Sequence, residues 1–597
     1  MTTPGKPKQP KSTAEVELLF GLLVIVLAVC GAIDLALQLG TDQTVPWFPP
    51  VAVLHLITGE LAWSTGTTVA AAVMFALALA VIVGVVVLLA GRRRRRSRVD
   101  TIASKLGHGD SVSSLTARAA TAKAKSLYVV SDAGPGILLG RMVHGRGERL
   151  YASWEDTQLD IWGPRTGKST SRIIPAIMDA PGAVIATSNK RDLVDATRDP
   201  RAQLGSKPWV FDPQDMVGEV PTWWWNPLSY VVDDVSAIKL ADLFAAGSSD
   251  PGAKTDAFFD PEGKDVLAAT LLAAALDGRP VTQVYSWVTT PSMEAAVVLR
   301  RNGYDLMGDA LAAHISSPEK QKAGVFGTAK KTAGCLRLRG FQPWVTQTGG
   351  HRPHLDVEQF VRNGDTLHLL SKEGAGTGGP LVAGLTVAII EEAERQGSLS
   401  RGGRLATPLL AALDEAANIV RWPQLPNLYS HYGSRGIMLM TMLQSWSQGV
   451  ECWGEAGMKK LWSAANVKVY GGGVSELEFL RSMSELVGDY DYIGSSTSSG
   501  SGNGSSGSVS RQAASGRILT AAHLNEWPRG RALVFSSGNR ATVIKPEPWM
   551  AGPHARAIET SIKANDPTAD TTLGDLRHGL TAVPLQSAVD TTKTRAS

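Results

Sequence analysis

Two long apolar runs open the chain. Leu18 to Ile33 carries no charge, meets Asp34 and continues to Leu39, while Leu61 to Gly91 has no charged residue and is almost wholly aliphatic from Val69 to Ala90. About 20 apolar residues span a bilayer as a helix, so both runs read as membrane spans. The acids Glu15 and Glu17 beside the first run argue against a cleaved signal peptide. Lys6, Lys8 and Lys11 precede the first run and the block Arg92 to Arg98 follows the second, with no Lys or Arg from Gly40 to Thr65. That asymmetry places both termini on the cytoplasmic side of a short external loop. The arginine block reads as a stop-transfer and anionic-lipid contact rather than a DNA-binding arm. Asp34, costly in hydrocarbon, faces either a neighbouring helix of an oligomer or the outer interface.

Beyond a polar linker at 99–125, the pattern becomes that of a globular α/β domain. Short buried-strand patterns occur at Gln158–Trp162, Gly182–Thr187, Trp209–Asp212, Pro408–Leu413, Ile437–Leu443, Val467–Tyr470, Arg531–Phe535 and Thr542–Lys545. With helical stretches between them they predict an α/β class with a parallel sheet and right-handed crossovers.

The first of these strands runs into Gly163-Pro164-Arg165-Thr166-Gly167-Lys168-Ser169-Thr170. This is a Walker A phosphate loop at its Gly-Lys-Ser end, although Trp162 stands where the first glycine is usual. The small residues Gly163 and Gly167 let backbone N–H groups close on phosphate oxygens. Lys168 neutralises the β/γ charge of ATP, and the Ser169 hydroxyl is a ligand for Mg2+. A helix should follow, adding its N-terminal dipole, with a kink at Pro175. The matching acids are Asp414-Glu415, directly after Pro408–Leu413. A buried strand ending in Asp-Glu places Asp414 near the metal and Glu415 near the attacking water. Ile437–Leu443 ends in Gln444, with Gln448 one turn on. An amide at that strand tip is suited to contact the γ-phosphate or the water, and equally to cap a helix.

Val232 to Thr346 has helical texture, an insertion between the early strands and the acid pair. Gly494–Ser510 is nearly all Ser and Gly and predicts a flexible loop. The stretch 551–597 is polar and predicts a disordered tail. Trp223-Trp224-Trp225 reads as buried packing rather than base stacking.

Charge changes the picture only locally. The 597 residues hold 59 Lys+Arg and 55 Asp+Glu, a net charge of +4. The first 98 residues, with nine bases and five acids, account for all of that excess. Any nucleic-acid site must therefore be a local patch or a channel. Cys30, Cys335 and Cys452 lie far apart and His is scattered, which excludes a zinc enzyme or a disulfide framework.

The order of motifs resembles the TraG/TraD type IV secretion coupling proteins, actinobacterial branch. The resemblance rests on the two spans, GPRTGKST, Val210-Phe211-Asp212-Pro213, Trp225-Asn226-Pro227-Leu228, LDEAANI at 413–419 and MLQSWSQ at 442–448, and covers about 15–550. It implies a membrane anchor at 1–98 and a linker at 99–125. A RecA-like P-loop domain follows in two parts, 126–231 and 347–550, split by an all-α insertion at 232–346. Lys168 and Ser169 take the Walker A roles, Asp414 and Glu415 the Walker B roles, and Gln444 the sensor role. The implied protein is a homo-hexameric, multi-pass ATPase of the cell membrane. It passes a relaxase–single-stranded DNA complex to type IV secretion channel components, with ATP and Mg2+ as cofactors and the lipid bilayer as its seat. An FtsK-like pump of double-stranded DNA is one alternative, for which the tail offers no winged-helix reader. An ATP-dependent protein-secretion adaptor is the other. Arg435 and Arg517 are arginine-finger candidates by proximity alone.

Overall fold

The computed structural model describes residues 13–94, 97–249, 256–372, 378–498 and 508–581. They divide into two units, Met1–Arg96 and Ser97–Ser597.

The first unit is helical. Thr13–Gly40 runs against Thr65–Arg94, and the connection between them, expected as a plain loop, holds a further helix, Pro49–Thr58. Pro50 in its first turn and left-handed Gly59 after its last explain its bounds. Gly40 lets the long helices meet, since a Cβ there would lie 2.2 Å from the Thr67 nitrogen. Asp34 is buried and accepts a 2.9 Å hydrogen bond from Gln38. Among the described residues no helix is long and apolar enough to cross a membrane. Of the expected spans the side chains are described only in part: from Leu27 in the first, and in the second only as far as Gly84, without Ile82. Lys6, Lys8, Lys11 and the side chains of Arg92 to Arg96 also lie outside them.

The second unit is built on one eleven-stranded sheet. Its strands are β1 (Ile137–Met142), β2 (Arg149–Ala152), β3 (Gln158–Ile161), β4 (Val184–Ser188), β5 (Pro208–Phe211), β6 (Thr366–Leu370), β7 (Leu409–Leu413), β8 (Ile437–Leu443), β9 (Val467–Tyr470), β12 (Ala532–Ser536) and β13 (Thr542–Lys545). A separate hairpin pairs β10 (Asp489–Ser498) with β11 (Ser508–Arg517). The order is β2-β1-β13-β12-β9-β3-β8-β7-β4-β6-β5. From β9 to β5 every pairing is parallel. These strands are buried almost throughout, as a sheet covered by helices on both faces requires.

The other edge departs from expectation. β12, β13, β1 and β2 pair antiparallel, so the sheet is mixed. Only Ser537–Ala541 joins β12 to β13, too short for a parallel crossover. Between β5 and β6 the regular elements are helical, centred on Phe259–Leu276, whose residues Val266–Ala274 are all buried. Gly379–Leu399 ties these helices to the sheet: its Gly384 gives way to Leu240 and to the ring of Trp225. Trp223 and Trp225 are buried.

Three more expectations need correction. Residues 99–125 are folded, with Val99, Leu106, Val112, Leu115, Ala120 and Ala124 buried and Asp100 held by the Arg531 guanidinium at 2.7 and 2.8 Å. Their apolar residues are few and mostly small, which reads as a linker. The Ser/Gly segment is a β-ladder as far as Ser498 and again from Ser508; 499–507 lie outside the described residues. Backbone pairing needs no particular side chain, so composition hides it. The tail is helical at Ala555–Asn565 and Ala569–Thr581, with 582–597 outside the described residues. The first of these helices docks on Asp192–Gln203. Ser561 donates to the Asp195 carbonyl (2.6 Å), Arg191 to the Asn565 carbonyl (2.5 Å), and Asn565 to Asp199 (2.7 Å).

Ile558, Ile562 and Leu573 are buried in this contact, and such a side chain contributes about 1.5–3 kcal/mol when fully buried. Truncation after Gly552 is expected to lower the thermal unfolding midpoint by several degrees in a melt of the full chain. An unchanged midpoint would show the tail to be an appendage.

Candidate functional site

The phosphate loop leaves β3 at the carboxyl edge of the parallel strands, where ligands of open α/β sheets bind. Trp162 continues the sheet for one residue, its N–H donating to the Leu443 carbonyl at 3.0 Å. Gly163 then donates to Gly472 at 2.8 Å, and a Cβ on Gly163 would lie 2.0 Å from the Gly473 carbonyl oxygen. Gly471-Gly472-Gly473, after β9, thus braces the loop from behind. A Cβ on Gly471 would sit 2.0 Å from the Trp162 ring, so the large residue at the usual glycine position occupies a slot made by another glycine. Arg165 (φ 59°) and Gly167 (φ 93°) take left-handed conformations, and Thr166 closes the turn through a 2.5 Å hydrogen bond to Gly163. Successive N–H groups in such a turn form an anion-binding concavity.

Ser169 and Thr170 follow Lys168 in a π-turn, Ser169–Ile173, which passes into the helix Ile174–Asp179. The kink expected at Pro175 is this wider turn, because proline has no N–H for the normal ladder. Arg172 anchors the turn from below. Fully buried, it donates to Asp160 (2.9 Å), Gln158 (2.7 Å) and the Leu138 carbonyl (2.8 Å). No spacing rule pairs residues 160 and 172, and sequence reasoning missed them.

The acids arrive on β7, two strands from β3, with β8 between. Strand spacing of about 4.8 Å puts the ends of β3 and β7 roughly 10 Å apart, a gap a lysine side chain bridges. Lys168 Nζ lies 2.6 Å from Asp414 Oδ1 and 2.8 Å from Glu415 Oε1. Thr187 on β4 fixes the turn by donating to the Asp414 carbonyl at 2.8 Å. Glu415 is left-handed (φ 53°), a strained conformation for a residue with a side chain, and it swings the carboxylate toward β8. There the Gln444 amide donates to Oε1 at 2.6 Å and Gln448 to Oε2 at 3.3 Å. Gln448 also accepts from the Gln444 N–H at 2.8 Å, while Ser445 caps the helix Trp446–Ala464 that carries it. Its spacing from Gln444 was visible in sequence, but its contact with Glu415 was not.

Electrostatics follow from burial. Burial pushes the Asp414 carboxyl up to about 6, against the pull of Lys168. Burial also works to raise Glu415 and lower Lys168, but in both cases the partners win. Lys168 and the two amides hold Glu415 below the ordinary value, and the two carboxylates hold Lys168 above it. The donor set fits a magnesium ion: the Asp414 carboxylate and the Ser169 hydroxyl are hard oxygens, and such ions keep their other positions for phosphate and water. Arg435 lies elsewhere. It precedes β8 and donates to the Gly403 carbonyl (2.9 Å), at the other end from Gln444 of a strand roughly 20 Å long. Arg517 faces Asp489 at 3.4 Å.

Residues 408–529 match the family model described as the TraM recognition site of TraD and TraG. A comparison with curated proteins finds no match. Among solved structures, the unbound monoclinic form of the bacterial conjugative coupling protein TrwBdeltaN70 is similar at TM-score 0.50 and 15% identity, over 68% of this chain and 88% of that one. The plasmid coupling protein TrwB in complex with ADP and Mg2+ gives 0.47 and 16%, over 66% and 85%. VirB4 of Thermoanaerobacter pseudethanolicus gives 0.37 and 14%, over 70% and 98%. The sheet order defines the class, a mixed α/β fold shared with TrwBdeltaN70, with the Gly-Lys-Ser loop at the carboxyl edge of its parallel strands. Within it, residues 408–529 carry the match to the model of TraD and TraG.

The Asp160–Arg172 pair gives a direct test of how the loop is anchored. Arg172→Met strands a buried carboxylate and is expected to cost about 3–5 kcal/mol in denaturant unfolding, part of which Asp160→Leu/Arg172→Met recovers. A single variant as stable as wild type would remove the anchor.

Proposed function

We propose that the chain is a membrane-anchored ATPase that couples a relaxase–single-stranded DNA complex to a conjugation channel and drives its transfer by ATP hydrolysis. The observation that carries this reading is the convergence of Lys168, Asp414, Glu415 and Gln444 within hydrogen-bond distance at the edge of the sheet. Lys168 would bind the β/γ-phosphates, the turn 163–170 would cradle them, and Ser169 with Asp414 would hold the metal. Magnesium, when bound, supplies charge neutralisation across the phosphates. Glu415 orients and polarises the attacking water, and Gln444 holds Glu415 in place and senses the γ-phosphate.

The match at 408–529 and the fold shared with a conjugative coupling protein support the transfer role and a TraM-like partner at the relaxosome. The actinobacterial branch rests on the motif order alone. For the anchor at 1–98, support comes from the exposed apolar side chains on the paired long helices, among them Leu27, Leu39, Val69, Phe75, Leu77 and Val81. Lipid is the solvent that such surfaces match, and the Arg92 to Arg98 block sets both termini in the cytoplasm. The helices within 232–346 form the substrate-receiving domain between the two parts of the nucleotide domain, 126–231 and 347–550. A homo-hexamer at the cell membrane, feeding type IV secretion channel components, completes the reading.

Lys168→Ala is expected to reduce ATP turnover at least about 100-fold and to abolish transfer in a mating assay, with membrane insertion unchanged. Glu415→Gln is expected to keep Mg–ATP binding while losing turnover to the same extent. Turnover within twofold of wild type in either variant would refute the site.

A further inference from the structure

Gln448 stands three residues after Ser445, the N-cap of the helix Trp446–Ala464. Ser-x-x-Gln is the capping-box pattern, in which the glutamine amide turns back to the N–H of the N-cap residue itself. Here the side chain reaches one residue further. Its Oε1 accepts the Gln444 N–H at 2.8 Å. With the oxygen so engaged, the amide has a fixed sense, and its NH2 end donates to Glu415 Oε2 at 3.3 Å. The other oxygen of Glu415 is shared by Lys168 at 2.8 Å and Gln444 at 2.6 Å. Among the described residues, Gln448 is the side chain that donates to Oε2.

The turn that carries Gln448 is itself held from a second direction. Glu476 accepts the Trp446 N–H on Oε2 at 2.8 Å and the Ser447 N–H on Oε1 at 2.9 Å, while Ser445 Oγ accepts the Gln448 N–H at 3.2 Å. Free N–H groups at a helix start favour a carboxylate by hydrogen bonding and by the helix dipole. Glu476 occupies the N-cap position of Leu477–Val487, yet its side chain makes no cap hydrogen bond to that helix and crosses to the other one. Trp446 stacks on Phe479 beside it, with ring centroids 5.4 Å apart and planes 23° apart. Three residues before Glu476 stands Gly473, which meets Gly163 and Thr166 of the phosphate loop. The segment 471–479 therefore touches the phosphate loop at one end and the helix of Gln448 at the other.

We propose that Gln448 is a positioning residue for hydrolysis: it fixes the Glu415 carboxylate through Oε2, and Glu476 fixes the turn that presents it. Lys168 and Gln444, the donors on Oε1, are the two groups assigned above to the nucleotide. Gln448 has no second duty of that kind, so its hold on the carboxylate does not compete with a phosphate. Glu415 is in a left-handed conformation (φ 53°), which persists only where surrounding contacts over-determine it. Helix capping alone would use the Gln448 oxygen and leave the NH2 end to water. The inference rests on Glu415 being the group that polarises the attacking water.

The test joins ATPase kinetics of the full chain in detergent to hydrogen exchange of the same protein without nucleotide. Gln448→Leu is expected to lower kcat at least about tenfold with KM for Mg–ATP within about twofold of wild type. Gln448→Asn, which keeps the amide but shortens its reach, should lose kcat in the same way. Glu476→Ala should lower kcat too, and Glu476→Gln, which still offers an acceptor, should recover most of that loss. Because Glu476 acts through Gln448, Gln448→Leu/Glu476→Ala should lose no more than Gln448→Leu alone. Without nucleotide, the Gln444 amide should exchange roughly tenfold faster in Gln448→Leu, and the Trp446 and Ser447 amides faster in Glu476→Ala. Mant-ATP binding equal to wild type reports that the variants fold. A kcat within about twofold of wild type in both Gln448 variants would overturn the proposal, as would a loss carried by KM, losses that multiply in the double variant, or unchanged exchange at Gln444. Glu415→Gln separates the two claims. Turnover lost there but kept in Gln448→Leu removes the positioning role and leaves the acid; turnover kept in Glu415→Gln removes the acid first.

Discussion

One shared cation organises the carboxyl edge of the parallel strands. The Lys168 ammonium, leaving the turn after β3, is divided between two carboxylates at the end of β7, at 2.6 and 2.8 Å. A buried acid pair without that cation would be far too costly to keep ionised, and a buried lysine without the acids would lose its proton. Each side makes the other tolerable.

The rest of the unit serves that arrangement. β8 stands between β3 and β7 and delivers Gln444 into the gap, while the helix after it brings Gln448 to the second oxygen of Glu415. The glycines 471–473 and the Asp160–Arg172 pair hold the phosphate loop from behind and below. Trp162, the irregular residue of the motif, is accommodated because Gly471, directly after β9, has no side chain to oppose it. The positions that bear chemistry thus sit on turns, and those turns are fixed by rigid strands on three sides.

Much of this was legible in the chain, for physical reasons. A strand buried on both faces, such as Leu409–Leu413, stands out as an unbroken apolar run. Loop and acid pair announce themselves through residue type at a strand end. Other parts were hidden. β6 was missed because His368 interrupts its apolar run, although the side chain is buried. Residues 99–125 and the helices after 555 bury small or widely spaced apolar groups among polar ones, and so resemble linker and tail. The antiparallel edge depends on a five-residue connection rather than on composition. Arg172 and Asp160 stand twelve positions apart, a separation that neither helix nor strand period singles out.

The central claim is that the lysine of the loop and the first acid of the distant strand act on one bound ligand. A double-mutant cycle on Mg–ATP affinity tests it most directly, comparing wild type, Lys168→Met, Asp414→Asn and the double variant. Residues acting on a shared ligand should show non-additive losses, with an interaction energy of about 1–3 kcal/mol. Losses that simply add would mean that the two residues serve separate ends, and the account of the site would fail.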